Sequence, residues 1–211
     1  MNFPSVSLFS STANADLTKF FKRMGCEAST NAYSITGSTP LVDSLLSVRY
    51  ALYSEYIPNT DLVNYIQESG GTYLYENLYT LPLGFVLPYD LADNWQYQME
   101  NPAEVQNDLC LLLGTDDVLV PVETEVSGSG CTFTADMAGE YYVYIQNKKV
   151  KNVKASLPSG EKNFSNVDRG YLLEMGNLSE GSRITLTPGE SGETLTAAVY
   201  RFSPRAMIQV Y

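Results

Sequence analysis

Trp95, the only tryptophan of the chain, stands in YDLADNWQYQ among Tyr89, Asp90, Asp93, Asn94 and Tyr97. Aromatic faces beside amides and carboxylates are how proteins hold sugars: the ring covers C–H faces and the polar groups bind hydroxyls. The plainer reading is a half-buried Trp that pins a long loop to the core. Ser159-Gly160-Glu161-Lys162 has the SxxK spacing of Ser-Lys acyl enzymes, but it lies in a Pro-Ser-Gly turn with no KTG or SDN partner, so the reading fails. The carboxylate pairs Asp90/Asp93, Asp116/Asp117 and Glu123/Glu125 lack EF-hand spacing and read as surface charge. Lys148, Lys149, Lys151 and Lys154 alternate with Val150 and Val153, the pattern of a lysine-guarded edge strand; the functional alternative is a phosphate contact.

Composition removes further chemistry. Sixteen Tyr stand against no His, so a Ser-His-Asp triad, a Cys-His dyad and a His-ligated zinc are all excluded. The three Cys, Cys26, Cys110 and Cys131, form no CxxC pair, and an odd number leaves at least one unpaired. Cys110 reads as a small core residue. No catalytic residue, metal site or cofactor is expected. The net charge is −11, and no Lys or Arg occurs between Arg49 and Lys148. Such a surface repels nucleic acid. No apolar run reaches the roughly 20 residues that span a bilayer, and the start has neither the basic nor the apolar region of a signal peptide.

The elements that would carry these residues change character along the chain. Asn14 is placed to cap a helix bearing Leu17, Phe20, Phe21 and Met24, with Gly25 as its stop. Thr39-Pro40 opens a second helix, followed by a strand over Val48 to Tyr53. The pattern predicts a helix from Thr60 to Glu68, then strands at Tyr73 to Glu76 and Phe85 to Leu87. In NPAEVQNDLCLLLG, Asn101 is an N-cap, Pro102 is N1, Glu104 completes a capping box, and Gly114 ends the helix. Beyond Thr115 short strands follow one another, separated by Gly, Pro, Asn and Ser turns. The fold class is therefore α+β: an α/β part over 1–114, then a β-sandwich, jelly-roll-like, over 115–211.

Three stretches resemble the YfhO family of bacterial membrane proteins. NFPSVSLFSSTANADLTKFFKRMG is similar to the opening of that family's long extracellular segment. STPLVDSLLSVRYAL resembles its DSL helix running into a V-K/R-Y strand, and YLYENLYTLPLGFVLP followed by NPAEVQNDL resembles its YEN-x-Y-x-LPLGF and NPFExQN stretches. Coverage runs from Asn2 to about Leu113, with a weaker echo in GEYYVYIQN and RGYLLEMGNLSEG. Family members look like multi-spanning GT-C-type glycosyltransferases at the outer face of Gram-positive membranes, acting on surface polymers such as teichoic acids. The resemblance implies an excised extracytoplasmic, non-catalytic recognition domain. Its partners would be its own transmembrane region and a neutral glycan or surface polymer. A free-standing carbohydrate-binding or adhesion module is the alternative. Residue by residue, the motifs read as architecture: Asp43 at N4 favours the helix dipole, and Leu81-Pro82-Leu83-Gly84 forms a rigid turn; Glu76 and Asn77 of YLYEN are the only polar motif members left as binding candidates.

Overall fold

A computed structural model describes residues 6–211. The first residues of the opening motif, Asn2 to Ser5, lie outside the described part.

Three helices of the first half begin and end on local chemistry. Helix α1 (Ala15–Arg23) follows β1 (Leu8–Phe9), and the Asn14 side chain accepts from the amides of Asp16 and Leu17 at its start. Strands β2 (Ala28–Ser29) and β3 (Ala32–Tyr33) pair with each other, and β3 also pairs with β1. Helix α2 (Pro40–Leu45) is capped by the Thr39 hydroxyl on the Val42 amide. Strands β4 (Tyr50–Tyr53), β5 (Val63–Ser69) and β6 (Thr72–Asn77) form a sheet in the order β4-β6-β5. After a short turn α3 (Leu91–Asn94) comes α4 (Pro102–Leu112), capped by Asn101.

The helix expected over Thr60 to Glu68 is instead β5. Gly70 and Gly71 both have positive φ, 59° and 78°, and close a two-residue hairpin that pairs Ser69 with Thr72. Only that turn type wants left-handed backbone at both central residues, so Gly-Gly reads as a hairpin and not as a helix stop. Phe85 to Leu87 form no strand. The capping box also differs in detail. Glu104 accepts from the Asn101 side-chain amide (3.2 Å), which in turn donates to the Tyr200 hydroxyl oxygen (2.6 Å).

The second half contains two antiparallel sheets. One has the order β13-β10-β15-β7, from β13 (Leu172–Leu178), β10 (Gly139–Ile145), β15 (Ala197–Phe202) and β7 (Leu119–Val122). The other has the order β12-β11-β14-β9-β8, from β12 (Gly160–Ser165), β11 (Asn152–Leu157), β14 (Arg183–Pro188), β9 (Gly130–Thr134) and β8 (Glu125–Ser127). Of the four lysines expected on one edge strand only Lys154 lies in β11, and Lys148, Lys149 and Lys151 precede it outside any strand; β11 itself runs between β12 and β14, so it is not an edge strand. Lys154 pairs across to Glu161 at 2.6 Å. A two-turn helix, α5 (Pro204–Val210), closes the chain on a Ser203-Pro204 cap that the strand reading passed over.

Two cores meet at the first of these sheets. Its inner face, including Tyr141, Val143, Leu173 and Met175, packs with Phe133, Val153, Ile184 and Leu186 of the other sheet. Its outer face, including Tyr142, Tyr144, Leu172, Tyr200 and Phe202, packs with Leu41, Leu62, Ala103 and Cys110 of the first half. Each fully buried side chain of this size stabilises by about 1.5–3 kcal/mol. The fold is thus a mixture of helices and several antiparallel sheets, with one sheet covered on both faces.

Candidate functional site

The structure holds Trp95 as an anchor. Its Nε1–H donates to the Val105 carbonyl oxygen at 2.9 Å, and the half-buried ring leans on Tyr97 and on the core around Phe21 and Met24. Tyr97 stacks on Phe20. Asp90, Asp93 and Asn94 are exposed, and the Asn94 amide is occupied by the Asp90 carboxylate at 3.1 Å. The neighbouring backbone at Gln96 is tied by its amide to Asp108 at 2.6 Å.

Glu76 and Asn77 sit apart from that loop. Glu76 pairs with Arg49 at 3.0 Å across β4 and β6, and the Asn77 amide donates to the Val48 carbonyl at 2.6 Å. Both fasten the chain entering β4. Of the two, only Asn77 reaches the cleft described next.

A cleft of about 580 Å³ opens between the outer face of the β10–β13 sheet and the α2–β4 segment. Four carboxylates line it: Asp43 from α2, Glu140 from β10, Glu174 from β13 and the exposed Glu55 just after β4. The sheet register sets Tyr142 opposite Glu174, and Tyr142, two residues beyond Glu140 on the same face of β10, donates its hydroxyl to Glu140 at 3.1 Å. Asp43 stands at N4 of α2 as the sequence implies, but its carboxylate faces the cleft. Its Oδ1 is buried and has no hydrogen-bond partner.

Burial pushes the Asp43 carboxyl up to about 6, the Ser38 hydroxyl opposing and the charge of Glu174 adding. Glu140 is pushed up to about 7, by burial first, against its bond from Tyr142 and with help from Glu174 and Asp43. Glu174 is an exposed residue whose side chain lines the cleft; burial of its carboxyl raises it and Lys162 lowers it. Two carboxyls titrating near neutrality in one cleft are a mark of functional sites, because burying acids together is costly. Among the described residues no group of three His, Cys, Asp or Glu side chains is arranged to hold a metal ion.

Tyrosines and backbone complete the walls. Tyr53, Tyr56, Tyr79 and Tyr142 line the cleft with Asn77, Asn177, Ser159 and Lys162. Fully buried Tyr75 positions part of this rim: its hydroxyl donates to the Ile57 carbonyl (2.8 Å) and accepts from the Ile57 amide (2.6 Å). Gly37, with φ 82°, runs so close to the Leu172 and Gly25 carbonyls that a Cβ there would meet them at 2.5 and 2.6 Å, which fixes the strip from Ile35 to Pro40 against β13. Ser159 and Lys162 do share this rim. Lys162 is nevertheless exposed and donates to the Met175 carbonyl at 3.2 Å, so it has the wrong environment for a general base.

The polar residues of NPAEVQND hold this frame together. Gln106 accepts from Thr39 (2.6 Å) and donates to the Met24 carbonyl (2.9 Å), while Asn107 exchanges two bonds of 2.8 Å with the backbone of Leu119. A family model described as "Bacterial membrane protein YfhO" matches residues 1–118, more than half of the chain. The chain belongs to the YfhO family of bacterial membrane proteins. The matched span contains α1 to α4, and with them Asp43, Tyr53, Tyr56 and the Gln106 ties. Glu140, Tyr142 and Glu174 lie beyond it. No curated protein and no solved structure matches the chain. No helix among the described residues is long and apolar enough to cross a membrane.

Proposed function

We propose that this YfhO-family chain is an extracytoplasmic, non-catalytic recognition domain that holds a neutral glycan of a surface polymer such as teichoic acid. On this reading the ligand lies in the Asp43–Glu140–Glu174 cleft and not at Trp95. It serves a glycosyltransferase-like membrane protein.

The observation that carries the reading is the convergence of raised carboxyls and tyrosine rings in one open cleft. Carboxyls poised between their two protonation states can both accept from and donate to sugar hydroxyls. Tyrosine faces cover apolar sugar faces at little entropic cost. Lys162 is the one cation among the cleft-lining residues, against four acids, which disfavours phosphorylated ligands. The strand orders support a jelly roll built from β7 onward, an architecture that also carries lectin domains; that support is analogy of fold alone. The domain then has two units, 1–114 and 115–211, and the cleft lies where they join.

Calorimetric titration with neutral oligosaccharides and with teichoic-acid fragments tests this. Binding of a neutral glycan that weakens at least tenfold in Glu174→Gln supports the reading. Turnover of a glycoside, lost in Glu140→Gln, would overturn its non-catalytic part.

A further inference from the structure

The segment from Leu81 to Tyr89, LPLGFVLPY, lies on the surface outside any helix or strand. Leu83 and Val86 are each 97% exposed and Tyr89 is fully so; Phe85 and Leu87 keep about two-fifths of their surface in water. Scattered exposed apolar residues need no explanation, but five within seven positions form a patch of the kind that marks a contact surface. The segment is fixed at its ends. The Leu81 amide donates to the Ser44 carbonyl (3.3 Å), the Tyr211 hydroxyl donates to the Thr80 carbonyl (2.7 Å), and buried Leu91 begins α3 beyond it. Pro82 and Pro88 stiffen the loop and carry no N–H to desolvate.

We infer that this loop seats the domain on a lipid bilayer, with Leu83, Val86 and Tyr89 entering the boundary between headgroups and acyl chains. The family is one of membrane proteins, and Tyr beside aliphatic side chains is the composition that settles at that boundary. Charge decides which bilayer. From Asn77 to Tyr89 there is no ionisable acid or base other than tyrosine, and no Lys or Arg lies between Arg49 and Lys148 in a chain of net charge −11. Attraction to anionic headgroups therefore contributes nothing, and the contact rests on apolar burial. The inference is independent of what the cleft holds.

Sedimentation with phosphatidylcholine vesicles tests it on the whole chain. The protein should bind neutral vesicles, as well at 0.5 M salt as at low salt, and no better when phosphatidylglycerol is added. The pair Leu83→Asn with Val86→Asn, both solvent-facing, should leave the melting temperature unchanged and weaken vesicle binding at least tenfold. In Leu83→Trp, brominated lipid should quench the new indole, which a folding defect cannot mimic. Absence of vesicle binding, equal binding by the double variant, or binding only to anionic vesicles would overturn the inference. So would self-association of the chain through this loop without vesicle binding.

Discussion

Asp43, Glu140 and Glu174 each hold a proton more tightly in the folded chain than an unfolded chain would. From the ordinary carboxyl range near pH 4 up to about pH 7, the native state keeps protons that the unfolded state has released. Stability from these groups therefore falls as pH rises through that window. The effect is about 2 kcal/mol after allowance for partial exposure and mutual coupling. Asp136 acts oppositely: burial pushes its carboxyl up, but the bonds from Tyr141 and Arg201 together outweigh that and hold it below the usual range, so its contribution is lost only in stronger acid. Thermal melts should show higher stability at pH 5 than at pH 8. Glu140→Gln keeps the shape and removes the buried charge; it should gain about 1 kcal/mol at pH 8 and flatten the profile. A variant less stable than wild type at pH 8 would count against a strained carboxyl. The thiols behave differently. Cys26, Cys110 and Cys131 are all free and buried, and burial raises each thiol pKa. A thiol reagent should leave them unmodified in the native protein and label all three on unfolding.

Helices α1, α2 and α4 share one ending. In α1 the amides of Gly25 and Cys26 bond back to Lys22 and Phe21; in α4 those of Gly114 and Thr115 bond to Leu111 and Cys110. In α2 the same pair runs from Ser47 and Val48 to Ser44 and Asp43, with Ser47 in the left-handed region at φ 57°. A Cβ there costs about 1 kcal/mol. Ser47→Gly should therefore raise stability by a few tenths to about 1 kcal/mol, read as a denaturant midpoint shift at unchanged slope. These helices were legible in the sequence because caps and stops are local: Asn14, Thr39-Pro40, Asn101-Pro102, Gly25 and Gly114 all do what their types allow. Ser203-Pro204 carries the same start signal, but the strand run before it masked α5. At β5 a correct stop residue was attached to the wrong period, since Val63, Tyr65 and Ile66 suit a pleated strand and Gly70-Gly71 suits its hairpin. The paired position of β11 was not legible, because pairing order is set by partners far away in the chain.

At the scale of the whole molecule, the outer face of the β10–β13 sheet joins both halves. Leu41, Ala103 and Cys110 share a core with Leu119, Tyr142 and Phe202, and the bonds of Asn107 and Asn101 cross the same junction. Calorimetry should give a single transition whose measured and van't Hoff enthalpies agree; two resolved transitions would contradict a shared core. This junction also explains why the candidate site was illegible in sequence. Asp43, Glu140 and Glu174 are distant in the chain, and only strand register and the packing of α2 unite them. Trp95, by contrast, drew notice through its local setting, and its indole N–H is committed to the Val105 carbonyl. The carboxylate cleft is the proposed ligand site. It is tested most directly by following amide and side-chain NMR signals while a neutral surface-polymer oligosaccharide is added at millimolar concentration. Saturable shifts are expected at Tyr53, Tyr142, Glu140 and Glu174, lost in Glu174→Gln and kept in Trp95→Phe. Shifts confined to Asp90 to Tyr97, or no shifts at all, would contradict it.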